Sequence, residues 1–141
     1  MVTRRIEESE KGLVIKWLDA IDWKGMSIES FPTNTFIVFD ESEVAVACSW
    51  YYYDESCKMV LMGHTVADPL YTESKGVLIS NLLDHVIKDM SKKGAAACYY
   101  STVTEAAPFL KKYMEPRGFR FKQGLSGVLP LSKKTNDDYI L

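Results

Sequence analysis

The sequence predicts an α/β domain with a mixed, mainly antiparallel sheet, flanking helices and one parallel β-α-β crossover. Three observations predict it. Three strand-like runs between residues 35 and 66 are separated only by short acidic turns. A long helix-periodic stretch then precedes the next strand-like run. Gly94 stops that helix directly after Lys92-Lys93, a cationic last turn followed by the residue that most readily ends a helix.

The elements follow in order. Behind Ser9 and Glu10, the residues Leu13, Val14, Trp17, Leu18 and Ile21 recur at helical spacing, with Lys11, Lys16 and Asp19 between them. That is an amphipathic helix packed on one side. Trp23 to Ser30 reads as a short helical or irregular piece ended by Pro32. Thr35 to Phe39 is β-branched and aromatic, hence a strand. Asp40 to Glu43 is a turn, Val44 to Tyr53 a second strand, Asp54 to Ser56 a turn, and Lys58 to Val66 a third strand. Strands joined this tightly form an antiparallel meander. Gly63 sits inside the third strand, where glycine marks a bulge or a close backbone approach.

After Asp68-Pro69 comes the loop Leu70 to Ser74, then a helix to about Lys93 whose buried face carries Val77, Leu78, Leu82, Val86 and Met90. Ala95 to Val103 is a fourth strand, and the crossover makes it parallel to the third. Glu105 to Met114 reads as a helix, and Gly118 to Phe121 and Gly124 to Leu131 as closing strands.

The 141 residues are expected to form one domain, with 132–141 readable as a flexible tail. A chain of this length buries roughly 68–70% of its unfolded surface, enough for a core without staples. With 47% hydrophobic and 26% charged residues it reads as globular. A net charge of -2 argues against nucleic acid as main partner, because that affinity rests on many cationic contacts to phosphate. Cys48, Cys57 and Cys98 are odd in number and lack CxxC spacing, which suggests reduced thiols and a cytoplasmic setting. The first residues carry no apolar signal core, and no run approaches the ~20 apolar residues of a membrane span. The two isolated histidines and scattered cysteines offer no metal shell. No G-x-S-x-G, Walker or Rossmann pattern occurs.

The order of elements from Thr35 to Leu131 resembles the GNAT acetyltransferases. Val66-Ala67-Asp68-Pro69 is similar to the end of the family's cofactor-binding strand, and Lys75 to Gly94 to its central helix with the terminal glycine. Phe109-Leu110 resembles the second cofactor-side helix, and Gly118-Phe119 the Gly-Phe that follows it. The resemblance implies acetyl-CoA as co-substrate and a small-molecule or peptide amine as acceptor, with no nucleic acid and no membrane involved. A homodimer is compatible with it. It implies that the sheet splays between the strand ending at Val66 and the strand from Ala96 to Val103. It also implies that a backbone N–H near Val66 polarises the acetyl carbonyl. The diphosphate would rest on N–H groups where the central helix begins, since unpaired N–H groups and the positive helix end form an anion site. The family's six-residue loop aligns either with Ser74, Lys75, Gly76, Val77, Leu78 and Ile79, or with Glu73 to Leu78.

The cofactor-side residues implied are therefore Val66, Ser74, Lys75, Gly76 and Val77, with Ser101 and Thr102 beside the pantetheine arm. Thr72 or Ser74 also reads as an ordinary N-cap. His64 shares a strand face with Val66 and has a pKa suited to a base, or is a partly buried hydrogen-bonded histidine. Tyr113 corresponds to the family's general acid, which protonates the leaving thiolate. Here it precedes Gly118 by five positions instead of four, with Pro116 between. A second reading is a catalytically inactive structural or interaction protein on the same fold, for example in a phage virion, and then virion-associated instead of cytoplasmic.

Overall fold

The computed structural model describes residues 1–100 and 107–120. The chain groups into two compact units, Met1–Tyr100 and Ser101–Leu141. The strands expected over 121–131, the tail over 132–141, and the candidates Ser101 and Thr102 lie outside the described residues.

The first unit holds five strands and two helices. The strands are β1 (Val2–Arg5), β2 (Thr35–Phe39), β3 (Ala45–Asp54), β4 (Met59–Ala67) and β5 (Ala97–Tyr100). The helices are α1 (Glu8–Ala20) and α2 (Lys75–Lys92), with a 3-10 turn at Ile28–Ser30. The sheet runs β1-β2-β3-β4-β5 in chain order. Its first three pairings are antiparallel and β4 with β5 is parallel, as the crossover through α2 requires.

β1 is the element the sequence reading missed. It is short and carries Arg4 and Arg5, so it shows no apolar run. Its place comes from long-range pairs. Arg4 donates to both carboxylate oxygens of Glu10 at 2.8 Å, and its guanidinium lies 4.6 Å from the Phe39 ring centroid. Arg5 is 3.7 Å from Asp89 on α2. Two paired cations on an edge strand also discourage another strand from adding there. Glu10 accepts as well from the backbone N–H of Glu7 at 2.7 Å, which caps α1.

The two sheet faces bury different helices. Ile37, Cys48, Trp50 and Val66 form one apolar cluster with Val14, Trp17 and Leu18 of α1 and with Phe31. α2 packs on the other face against β2 and β3, burying Leu82, Leu83, Val86 and Met90. There Tyr51, fully buried on β3, donates its hydroxyl to Asp89, and Tyr53 donates to the Lys93 carbonyl at 3.1 Å. Ser49 and Thr65 hydroxyls bond each other at 3.0 Å on this same face.

In the second unit an α turn at Ala107–Phe109 continues as a π helix, Leu110–Met114, and a 3-10 turn, Glu115–Arg117. The expected helix to Met114 exists, but its winding changes. Proline at 116 has no N–H to give the carbonyl four residues back, and its ring would crowd that carbonyl. The turn before it loosens: the Glu115 N–H reaches the Leu110 carbonyl, five residues back. Gly118 has φ +94 and closes the 3-10 turn. Gly118 to Arg120 are not strand, which corrects the expected start of a closing strand.

Candidate functional site

The site begins at a bulge in β4. Ser49 pairs with Thr65 and Tyr51 with Met62, so Trp50 alone stands opposite Gly63 and His64. Glycine is required there. A Cβ at position 63 would collide with the Trp50 indole at Nε1 and Cδ1. Trp50 cannot yield easily, because it is 3% exposed and meets Phe31 edge-on at 5.5 Å.

The bulge sets which backbone groups β4 offers to each neighbour. The Asp68 N–H donates to the Val46 carbonyl at 2.8 Å. In an antiparallel ladder such hydrogen-bonded pairs recur at every second residue. Cys48 and Val66, two residues along, are therefore also a bonded pair, and the Val66 N–H faces β3. The N–H groups of Thr65 and Ala67 face the β5 side. The N–H groups nearest Val66 that face away from β3 are thus those of its two neighbours. The described β4–β5 pairing runs from Met59–Ala97 to Met62–Tyr100. β4 continues to Ala67.

His64 lies on the α1 side of the sheet with Val66. Its imidazole is half-buried and stacks on Trp23, with centroids 4.7 Å apart and planes at 22°. Burial lowers its pKa below the ordinary value, so the neutral ring is favoured. Nothing in the sequence pointed to Trp23, because the stack depends on how the segment after α1 folds back.

Ser74 is the N-cap of α2, but its side chain makes no capping bond, so the ordinary N-cap reading holds for position and not for chemistry. Lys75, Gly76 and Val77 make the first turn. The Lys75 ammonium turns back to the Asp68 carbonyl at 2.7 Å. A cleft of about 310 Å3 opens beside this turn, between it and the β2–β3 turn. The charged side chains lining it are all acids: Asp40, Glu41 and Glu73. Asp40 is held by the N–H groups of Ser42 and Val44, both at 2.9 Å, and by the Tyr71 hydroxyl at 3.0 Å. Its carboxyl is lowered, first by the Val44 hydrogen bond.

Tyr113 sits in the π turn of the second unit, half-buried. Its ring is 5.0 Å from Phe109, and the Lys112 ammonium lies 5.2 Å above it. Its carbonyl accepts from Arg117 Nη1 at 2.7 Å. The π turn ends at Met114, and a 3-10 turn, Glu115–Arg117, leads from it to Gly118.

Of the aromatic run, Trp50 and Tyr51 are core on opposite faces, while Tyr52 is 43% exposed. His85 is exposed on α2 with its ring 5.2 Å from Phe36. Among the described residues no group of three His, Cys, Asp or Glu could hold a metal ion. No helix among them is long and apolar enough to cross a membrane.

No family model matches this sequence, and no curated protein matches it. Solved structures do. The ribosomal-protein-S18-alanine N-acetyltransferase of Escherichia coli has a TM-score of 0.68 at 17% identity, over 86% of this chain and 79% of that one. An acetyltransferase of Trypanosoma brucei scores 0.62 at 16% identity, over 92% and 99%. A Mycobacterium tuberculosis protein crystallised with CoA scores 0.67 at 13% identity, over 98% and 80%. Identities this low carry the fold alone. Among the described residues, the five-stranded sheet with one parallel pair and the crossover helix give this chain a GNAT-like fold.

Proposed function

We propose that the protein is an N-acetyltransferase that moves the acetyl group of acetyl-CoA to an amine. The observation that carries this reading is the bulged β4. Its register on β3 turns the Thr65 and Ala67 N–H groups to the β5 side. Such fixed donors suit the oxygen of a thioester, whose negative charge grows as a nucleophile attacks. His64 takes the proton from the amine. The amine nitrogen then forms the C–N bond as the C–S bond breaks. Tyr113 gives its phenolic proton to the departing thiolate, and both side chains re-equilibrate with solvent. The acceptor is a small molecule or a peptide amine. The Escherichia coli neighbour is named for an alanine of a ribosomal protein, which supports the peptide class.

The diphosphate would rest on the first-turn N–H groups of α2, with Ser74, Lys75, Gly76 and Val77 around it. Gly76→Asp should abolish CoA binding and spare the fold, because an acid in the first helical turn suits the helix end but repels phosphate. Calorimetric titration with CoA checks this, and unchanged affinity would remove the loop from the phosphate site.

The proton-acceptor role has a pH signature. Only neutral imidazole accepts a proton, and burial lowers the His64 pKa. kcat/KM should therefore hold down to about pH 6.5, the ordinary histidine value, and fall only below it. His64→Gln should lose that acid limb, and a limb that persists in the variant would assign it to another group.

A panel of peptide, polyamine and small primary amines, assayed by thiol release from acetyl-CoA, tests the activity itself. One observation favours the second reading, an inactive interaction protein. The charged side chains lining the cleft at the start of α2 are all acidic, and the Lys75 ammonium is bound to a main-chain carbonyl. On that reading no amine releases thiol.

A further inference from the structure

The Trp23–His64 stack has no role in the fold's core, since the α1 cluster is built from Val14, Trp17, Leu18 and their sheet partners. Trp23 is 45% exposed, unlike the buried Trp17 and Trp50. It follows α1 directly, where Asp22 has φ +59 and turns the chain back over β4. Its N–H donates to the Leu18 carbonyl at 2.9 Å, which ties that turn to the helix end. An exposed indole placed at 4.7 Å and 22° on the only histidine of β4 covers one face of that ring.

We propose that Trp23 is the positioning residue of the reaction, holding the His64 imidazole in one orientation with one face shielded from water. This rests on His64 being the proton acceptor. A free imidazole rotates about its side-chain bonds, and a parallel aromatic neighbour at stacking distance restricts that rotation. A base must meet the proton it removes within hydrogen-bond reach, so the orientation matters as much as the proton affinity. The charged neighbours do not supply that restraint. Asp22 and Lys24 flank Trp23, are largely exposed and lie 3.8 Å from each other. On β3, the Cys48 thiol is buried and its pKa raised by that burial, so it stays neutral. The Trp23 ring, at 4.7 Å and 22°, touches the imidazole directly.

The test uses the full chain with Trp23→Ala and Trp23→Phe. Two readouts are taken: the NMR titration of the His64 ring, assigned against His64→Gln, and the kinetics with the best amine. Trp23→Ala should raise the His64 titration midpoint toward the ordinary value, because the ring regains water. It should lower kcat by on the order of ten- to hundredfold, the cost of a misplaced catalytic group, with KM for acetyl-CoA unchanged. Trp23→Phe should restore both. An unmoved midpoint in Trp23→Ala overturns the proposal, whether or not the protein is active. A midpoint that moves while kcat stays constant also overturns it, and shows the stack to be only structural. The titration needs no turnover, so a protein that acetylates nothing but shows the shift rejects the transferase reading and, with it, the positioning role, and leaves the stack as structural only.

Discussion

Tyr113→Phe should lower the acetyl-transfer rate by ~10²-fold or more, the usual scale for losing a general acid, while affinity for acetyl-CoA stays nearly constant. The substitution keeps the ring, and with it the contacts to Phe109 at 5.0 Å and to the Lys112 ammonium at 5.2 Å. It removes only the proton that the thiolate would take. An interaction made late in the reaction shows itself in kcat and kcat/KM together and leaves binding alone. Steady-state kinetics with a calorimetric Kd for acetyl-CoA measure both. A loss of affinity with unchanged turnover would mean that Tyr113 packs against the cofactor and gives it no proton.

Gly63→Ala should destabilise the fold by roughly 2–3 kcal/mol, as overpacking a fixed core does. The new methyl group would enter the space of the Trp50 indole. That indole is held by Phe31 from the side and is 3% exposed, so relief must come from the β4 backbone. Moving the backbone disturbs the bulge, and a register change of one residue sends every side chain to the other face. His64 would then leave the α1 side, and the outward N–H groups would no longer be those of Thr65 and Ala67. The melting temperature should drop on the order of 5–10 °C for a chain of this size. An unchanged melting temperature would show that Trp50 has room to move and that the glycine is incidental.

Much of the first unit was legible in the sequence. β2 to β4 and α2 lie within a residue or two of where apolar runs, acidic turns and Gly94 put them. These elements are determined locally, by side-chain period and by turn residues. Gly63 announced its bulge for the same reason, because a glycine inside a strand is a local signal. β1 was not legible. Its four residues show no alternation strong enough to read, and Arg4 and Arg5 are held by Glu10 and Asp89, which lie in other elements. The π turn before Pro116 was read as plain helix, since periodicity does not distinguish one extra residue in a turn. In the candidate site, β4 and the start of α2 were legible from the order of elements. The direction of each N–H was not, because it depends on the pairing of Asp68 with Val46. The Trp23–His64 stack is likewise a product of tertiary packing.

The central claim is that the folded chain binds acetyl-CoA, and its melting temperature with and without that ligand tests it most directly. A ligand that binds only the folded form adds about 2.7 kcal/mol at 100 times its Kd. The account predicts a concentration-dependent rise on the order of 5–10 °C at millimolar acetyl-CoA, lost in Gly76→Asp. A melting temperature that does not move with acetyl-CoA at that concentration would contradict the account and leave the GNAT-like fold in use as a structural or interaction module.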